Sequence, residues 1–158
     1  MEIVNIILKS TRDFEQAMAI VENLGDFFDE DSYKDLKRDI REDKVYGAFD
    51  GKKMLGFIIF CELNKEVVEL TWMAVNKKNR GMGVGKRLLN YGIKTVNGKN
   101  KYKMCYLKTI GEGDRQRSFE ATRQFYLKNG FVALESLKPY PGWHRDKWVQ
   151  SFVKHLGH

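Results

Sequence analysis

Arg80, Gly81, Gly83, Gly85 and Lys86 have the types and spacing to hold an anion. Two cations bracket three alternating glycines, with Met82 and Val84 between them. The cations attract a phosphate, and the glycines let it approach the backbone closely. Val67 to Val75, VVELTWMAV, lies just upstream and is rich in β-branched and aromatic residues, which predicts a strand. Leu88, Leu89, Ile93 and Val96 follow at helical spacing. A glycine-rich turn between strand and helix puts unpartnered first-turn N–H groups, and the positive end of the helix dipole, at one point.

Three glycine-rich patterns compete for that turn. A nucleotide P-loop reads G-x-x-x-x-G-K-S/T. Aligned on Gly85 and Lys86, its first glycine falls on Arg80 and its hydroxyl on Arg87, so it fails twice. The dinucleotide fingerprint G-x-G-x-x-G places its third glycine on Lys86 or on Leu88, and fails too. The third pattern, R/Q-x-x-G-x-G/A, is satisfied by Arg80, Gly83 and Gly85. It resembles the acetyl-CoA pyrophosphate loop of the GNAT superfamily of N-acetyltransferases. Further along, Phe125-Tyr126-Leu127-Lys128-Asn129-Gly130-Phe131 resembles that family's second landmark, F-Y-x-x-x-G-F. The resemblance covers most of the chain and is weakest at its two ends.

The resemblance implies an acetyl-CoA-dependent N-acetyltransferase, with CoA as product, that moves an acetyl group to a primary amine by direct attack in a ternary complex. Carried over residue by residue, Arg80 and the N–H groups of Gly81, Met82, Gly83, Val84, Gly85 and Lys86 anchor the phosphates. The backbone of Met73, Ala74 and Val75 pairs with the pantetheine arm as an added strand would. In histone-type members a glutamate at the strand position of Glu69 is the general base, and in many members the tyrosine matching Tyr126 is the general acid at the sulfur. Many members carry an asparagine seven residues before that tyrosine. Here the position is Phe119, which leaves the adjoining Ser118 to take that cofactor contact.

The residues themselves support the choice of Glu69. It is a charge within an otherwise apolar strand, and strand alternation puts it on one side with Thr71, Met73 and Val75. It lies six residues before Val75, roughly 20 Å at ~3.3 Å per residue. That span is comparable to an extended pantetheine arm. A carboxylate there can take a proton directly or through water.

The remaining elements must deliver these groups. Glu2 to Lys9 predicts a strand, and Ser10 caps a helix whose face is Phe14, Ala17, Met18, Val21 and Leu24, ending at Gly25. Ser32 caps a second helix that buries Tyr33, Leu36 and Ile40. Lys44 to Asp50 and Lys53 to Leu63 are strands joined at Asp50-Gly51, and Asn64-Lys65 turns into the central strand, Glu66 to Val75. After the helix Gly83 to Val96 come a strand from Tyr102 to Ile110, a helix capped by Ser118 and running to Asn129, and strands Phe131 to Leu137 and Lys147 to Lys154. The order is β-α-α-β-β-β-α-β-α-β-β. The expected fold is α/β (α+β) and GNAT-like, with a mixed, mostly antiparallel central sheet flanked by about four helices.

At 158 residues and 42% hydrophobic, the chain reads as one globular domain, 1–158. The net charge of +7 favours polyanions, but the lysines are scattered, which argues against a nucleic-acid arm. Cys61 and Cys105 sit in separate apolar patterns without C-x-x-C and read as reduced thiols in a cytoplasmic protein. His144, His155 and His158 lack partners for a metal, so no metal is expected. No apolar stretch reaches membrane-spanning length.

The acceptor amine stays unidentified. In the family it is shaped by two loops, here Gly25–Ser32 and Lys138–Arg145. Asp26, Asp29, Glu30 and Asp31 could attract a cation there, with Phe27, Phe28, Tyr140 and Trp143 as walls. A catalytically silent CoA-binding regulatory or interaction module is the alternative. A basic nucleic-acid binder ranks below it. Some family members dimerise, and a homodimer stays open here.

Overall fold

The computed structural model describes residues 1–5, 11–24, 30–111, 117–143 and 145–157, excepting the side chains of 4, 5, 11, 117 and 118. Its elements are β1 (Glu2–Asn5), α1 (Thr11–Glu22), α2 (Glu30–Glu42), β2 (Lys44–Asp50), β3 (Lys53–Glu62), β4 (Val67–Val75), α3 (Val84–Val96), β5 (Met104–Ile110), α4 (Arg117–Lys128), β6 (Val132–Leu137) and β7 (Val149–His155). This is the order expected from the sequence, with two short 3₁₀ turns added at Lys77–Asn79 and Gly98–Asn100. The fold is mixed α/β, with seven strands in the order β1-β2-β3-β4-β5-β7-β6. Among the pairings described, β4–β5 is parallel and the others are antiparallel.

Several element boundaries differ from expectation by a few residues, and both expected caps among the described residues fall inside their helices. Helix α4 starts at Arg117, so Ser118 lies in its first turn and is not its cap. Helix α2 starts at Glu30, so Ser32 lies inside its first turn and is not its cap. Glu30 and Asp31 there complement the positive end of the helix dipole. The strand expected from Tyr102 starts at Met104, and Tyr102 and Lys101 bind Glu62 from just outside it. Ser10, Gly25 to Asp29, most of the Gly111–Arg117 loop, His144 and His158 lie outside the described residues.

The chain forms two compact units, Met1–Cys61 with Leu70–Gly98, and Glu62–Glu69 with Lys99–His158. In the first, α1 and α2 bury Ala17, Met18, Ile20, Val21, Leu36 and Ile40 against Val45, Met54, Phe57, Ile59 and Ala74. Trp72 packs on this cluster and donates its indole N–H to Asp39 on α2 at 2.9 Å. Helix α3 packs on the alternate strand residues, Ile58 and Phe60, where Gly92 permits close approach.

In the second unit the register sets two faces. Glu69 pairs with Tyr106 across β4–β5, and Lys108 pairs with Ser151 across β5–β7. Side chains alternate along a strand, so Glu69, Tyr106, Lys108 and Ser151 share one face. Cys105, Leu107 and Phe152 are buried on the other, where α4 packs on β5 and β6. Strand β4 begins in this unit and ends in the first.

Candidate functional site

The anion turn is built by local hydrogen bonds in the first unit. Asn76 donates its N–H to the Leu55 carbonyl at 2.8 Å, and its side-chain oxygen accepts from the Lys78 N–H at 3.1 Å. Arg80 then leaves the 3₁₀ turn in extended conformation, at φ −70° and ψ 151°. Gly81 and Gly83 follow at φ 75° and 77°, a region that side-chain-bearing residues avoid. Helix α3 opens at Val84, held down by the buried Val84, Leu88 and Leu89. Its N-cap is Gly83, which supplies no capping side chain, so the first-turn N–H groups are left for an outside acceptor. Nothing lies within 4 Å of where a Cβ on Gly81 or Gly83 would stand, so the approach is open. Arg80, Lys86 and Arg87 are exposed around it, and Met82 is 69% exposed. This donor set fits the phosphates of a CoA-type ligand.

Of the proposed arm-binding residues, Ala74 is buried, while Met73 and Val75 are half-buried. Burial alternates along β4 much as its pattern requires, with Val68, Leu70 and Ala74 buried and Glu69, Thr71, Met73 and Val75 only partly so. The β4–β5 ladder pairs Val67 with Met104, Val68 with Cys105 and Glu69 with Tyr106, and Glu69 stands at its end.

Glu69 does not stand alone. Lys108 Nζ lies 3.2 Å from its Oε1, with the two side chains 27% and 13% exposed respectively. The Lys108 ammonium also sits 5.6 Å from the centroid of the Tyr140 ring, within cation–π range. Tyr140 comes from the loop between β6 and β7, and its hydroxyl is 3.3 Å from that of Tyr106, which is in turn 2.8 Å from Ser151 Oγ. The hydrogen bond to Tyr106, then burial, then the charges of Tyr106 and Glu69 push the Tyr140 phenol up to about 12. A carboxylate, an ammonium and three hydroxyls thus converge on one face of the second unit.

Tyr126 lies on the opposite face. Its ring is 6% exposed and packs against Phe125, Phe131 and Phe152, at centroid distances of 5.3, 5.5 and 6.2 Å. Burial, with a smaller contribution from Cys105, raises its phenol well above the ordinary tyrosine value, so it keeps its proton at neutral pH. Glu69 and Tyr126 are therefore not side by side; the β4–β5–β7 ladder separates them. Ser118 belongs to α4, but its side chain is outside the described residues.

Three residues of the polar face went unnoticed in the sequence: Lys108, Tyr106 and Ser151. The alternation in Met104–Ile110 held a signal, since Tyr106 and Lys108 are the polar positions that alternate with buried Cys105 and Leu107.

Residues 41–133 match the family model described as an acetyltransferase (GNAT) domain. No curated protein sequence matches the chain. Among solved structures, a GNAT-family protein from Desulfovibrio desulfuricans is 19% identical with a TM-score of 0.81, covering 99% of both chains. An aminoglycoside 6′-N-acetyltransferase from Enterococcus faecium is 20% identical with a TM-score of 0.78, covering 100% of this chain and 98% of its own. A GNAT acetyltransferase from Elizabethkingia anophelis with acetyl-CoA bound is 17% identical with a TM-score of 0.73, covering 98% and 97%. At these identities the likeness is one of fold. Among the described residues no helix is long and apolar enough to cross a membrane.

Proposed function

Since the chain belongs to the GNAT acetyltransferase family, we propose that it is an acetyl-CoA-dependent N-acetyltransferase acting on a primary amine by direct attack in a ternary complex. The observation that carries this reading is the uncapped N-terminus of α3, entered through two positive-φ glycines and surrounded by Arg80, Lys86 and Arg87. The reading takes residues 1–158 as one catalytic domain, and the acetyl-CoA bound to the Elizabethkingia neighbour supports the choice of cofactor.

Bound acetyl-CoA supplies the thioester whose acetyl carbon an amine attacks. Arg80 and the N–H groups of Gly81 to Lys86 hold its phosphates by charge and by unpartnered donors. The backbone of Met73, Ala74 and Val75 orients its arm, and Ser118 adds a contact from α4. Glu69 accepts the proton that the acceptor ammonium must lose before its nitrogen can attack. Tyr126, protonated at neutral pH, donates a proton to the departing sulfur. In the adduct the attacking nitrogen and the departing sulfur share one carbon, so base and acid must reach the same point, and the placement of Glu69 and Tyr126 on opposite faces of the ladder counts against Tyr126 as the acid. The near-complete burial of Tyr126 and the Lys108 partner of Glu69 favour the alternative, a CoA-binding module without turnover.

Calorimetric titration with acetyl-CoA and CoA, beside an Arg80→Ala, Gly83→Asp variant, tests the reading. Binding by the wild type that is lost in the variant supports it, and a screen of amines by thiol release then separates enzyme from silent module. A folded wild type that binds neither ligand overturns it.

A further inference from the structure

The Glu69–Lys108 pair bears on what the acceptor is, given the acetyltransferase reading above. Both charged ends are partly withdrawn from water, yet each keeps some exposure, so a ligand can reach them. Opening such a pair is costly unless both charges find new partners. A simple amine would take the place of Lys108 on Glu69 and leave two ammonium groups beside one carboxylate. A ligand with an anion next to its amine removes that conflict, because each end meets its opposite. The surroundings suit the exchange. The Tyr140 ring holds the Lys108 ammonium by cation–π attraction while its ion pair opens. The hydroxyls of Tyr106, Tyr140 and Ser151 offer hydrogen bonds beside it.

We propose that this pair selects a zwitterionic acceptor, a free amino acid, whose ammonium is taken by Glu69 and whose carboxylate is taken by Lys108. Lys108 is then a specificity-determining residue, and polycationic amines that carry no carboxylate, the aminoglycosides among them, are disfavoured. The step balances with two protons leaving nitrogen. The ammonium first gives one to Glu69, which passes it to solvent. The neutral amine then forms the carbon–nitrogen bond, the carbon–sulfur bond breaks, the sulfur takes the proton from Tyr126, and the second nitrogen proton restores Tyr126 through solvent.

The test compares the common amino acids, each against its own amide, in a thiol-release assay with acetyl-CoA. An accepted amino acid is expected to exceed its amide by roughly tenfold or more in kcat/KM, expressed mainly in KM, as a charge-assisted pair would give. Lys108→Met should bring the ratio toward one, and Lys108→Arg should restore it. Equal use of acid and amide by the wild type overturns the proposal, as does a preference that survives Lys108→Met, or better use of an aminoglycoside. If no amine is turned over, calorimetry on the CoA-loaded protein decides. Binding of the acid but not the amide, lost in Lys108→Met, upholds it, and binding of neither overturns it. The acetyl-CoA titration is read separately, since its failure alone removes the acetyltransferase reading.

Discussion

Lys108 Nζ stands 3.2 Å from Glu69 Oε1, one strand over and on the same sheet face. The contact makes the role of Glu69 a matter of two separable quantities. If the carboxylate takes the acceptor proton, Glu69→Gln should leave acetyl-CoA affinity unaltered and lower kcat by about 10²- to 10⁴-fold. If it serves only as a counterion to Lys108, the variant should melt earlier and lose little turnover. Thiol-release kinetics beside a calorimetric titration distinguish the two, and full activity in Glu69→Gln would remove Glu69 as base.

Gly83 is the position in the anion turn where conformation and binding coincide. Its φ is 77°, and nothing lies within 4 Å of an added Cβ, so Gly83→Ala is not a clash. Its cost is the left-handed backbone, about 1–2 kcal/mol for a residue with a side chain. We expect a urea midpoint lowered to that extent and weaker acetyl-CoA binding as the turn relaxes. A variant as stable and as tight-binding as wild type would mean that the turn does not need this geometry.

These two sites differ in how far the sequence alone reveals them. The anion turn is local. Arg80, Gly83 and Gly85 sit within one short stretch, and the strand before it and the helix after it follow from periodicity. The element order was legible for the same reason. The polar face around Glu69 was legible only in part: Tyr140 was expected at the acceptor site, but Tyr106, Lys108 and Ser151 reach Glu69 only through strand register. Helix α2 shows a smaller version of the limit. Ser32 looks like a cap, but Glu30 and Asp31 suit the first turn as well, and the helix starts with them.

Gly92 sets helix propensity against packing. Alanine in the interior of α3 is favoured over glycine by about 1 kcal/mol. The added Cβ would, however, stand 2.6 Å from Phe60 Cε2 and 3.3 Å from Ile58 Cγ2. Phe60 is buried, with the Tyr46 ring 6.3 Å away at its edge, so it has little room to give. Overpacking of this kind costs typically about 1–3 kcal/mol. Gly92→Ala is therefore expected to lower the stability in urea despite the better helix former. A gain in stability would show that the α3 contact with β3 is looser than these distances indicate.

Tyr126 predicts how the protein responds to alkali. Burial, and to a lesser degree Cys105, raises its folded-state value above the ordinary 10.0. Below that value both folded and unfolded chains hold the proton, and the group has no effect on the slope. Above about pH 10 the unfolded chain ionises while the folded one stays protonated, so stability falls as pH rises. Tyr140, pushed up to about 12 chiefly by its hydrogen bond to Tyr106, adds loss of the same sign. Tm followed through this range should decline less steeply in Tyr126→Phe than in wild type, since the variant has no proton to lose there. The same substitution should lower kcat with KM little altered if the phenol serves the departing sulfur. A parallel alkaline decline in both proteins would mean that the Tyr126 hydroxyl is not held protonated by its surroundings, and its assignment as proton donor would lose its physical basis.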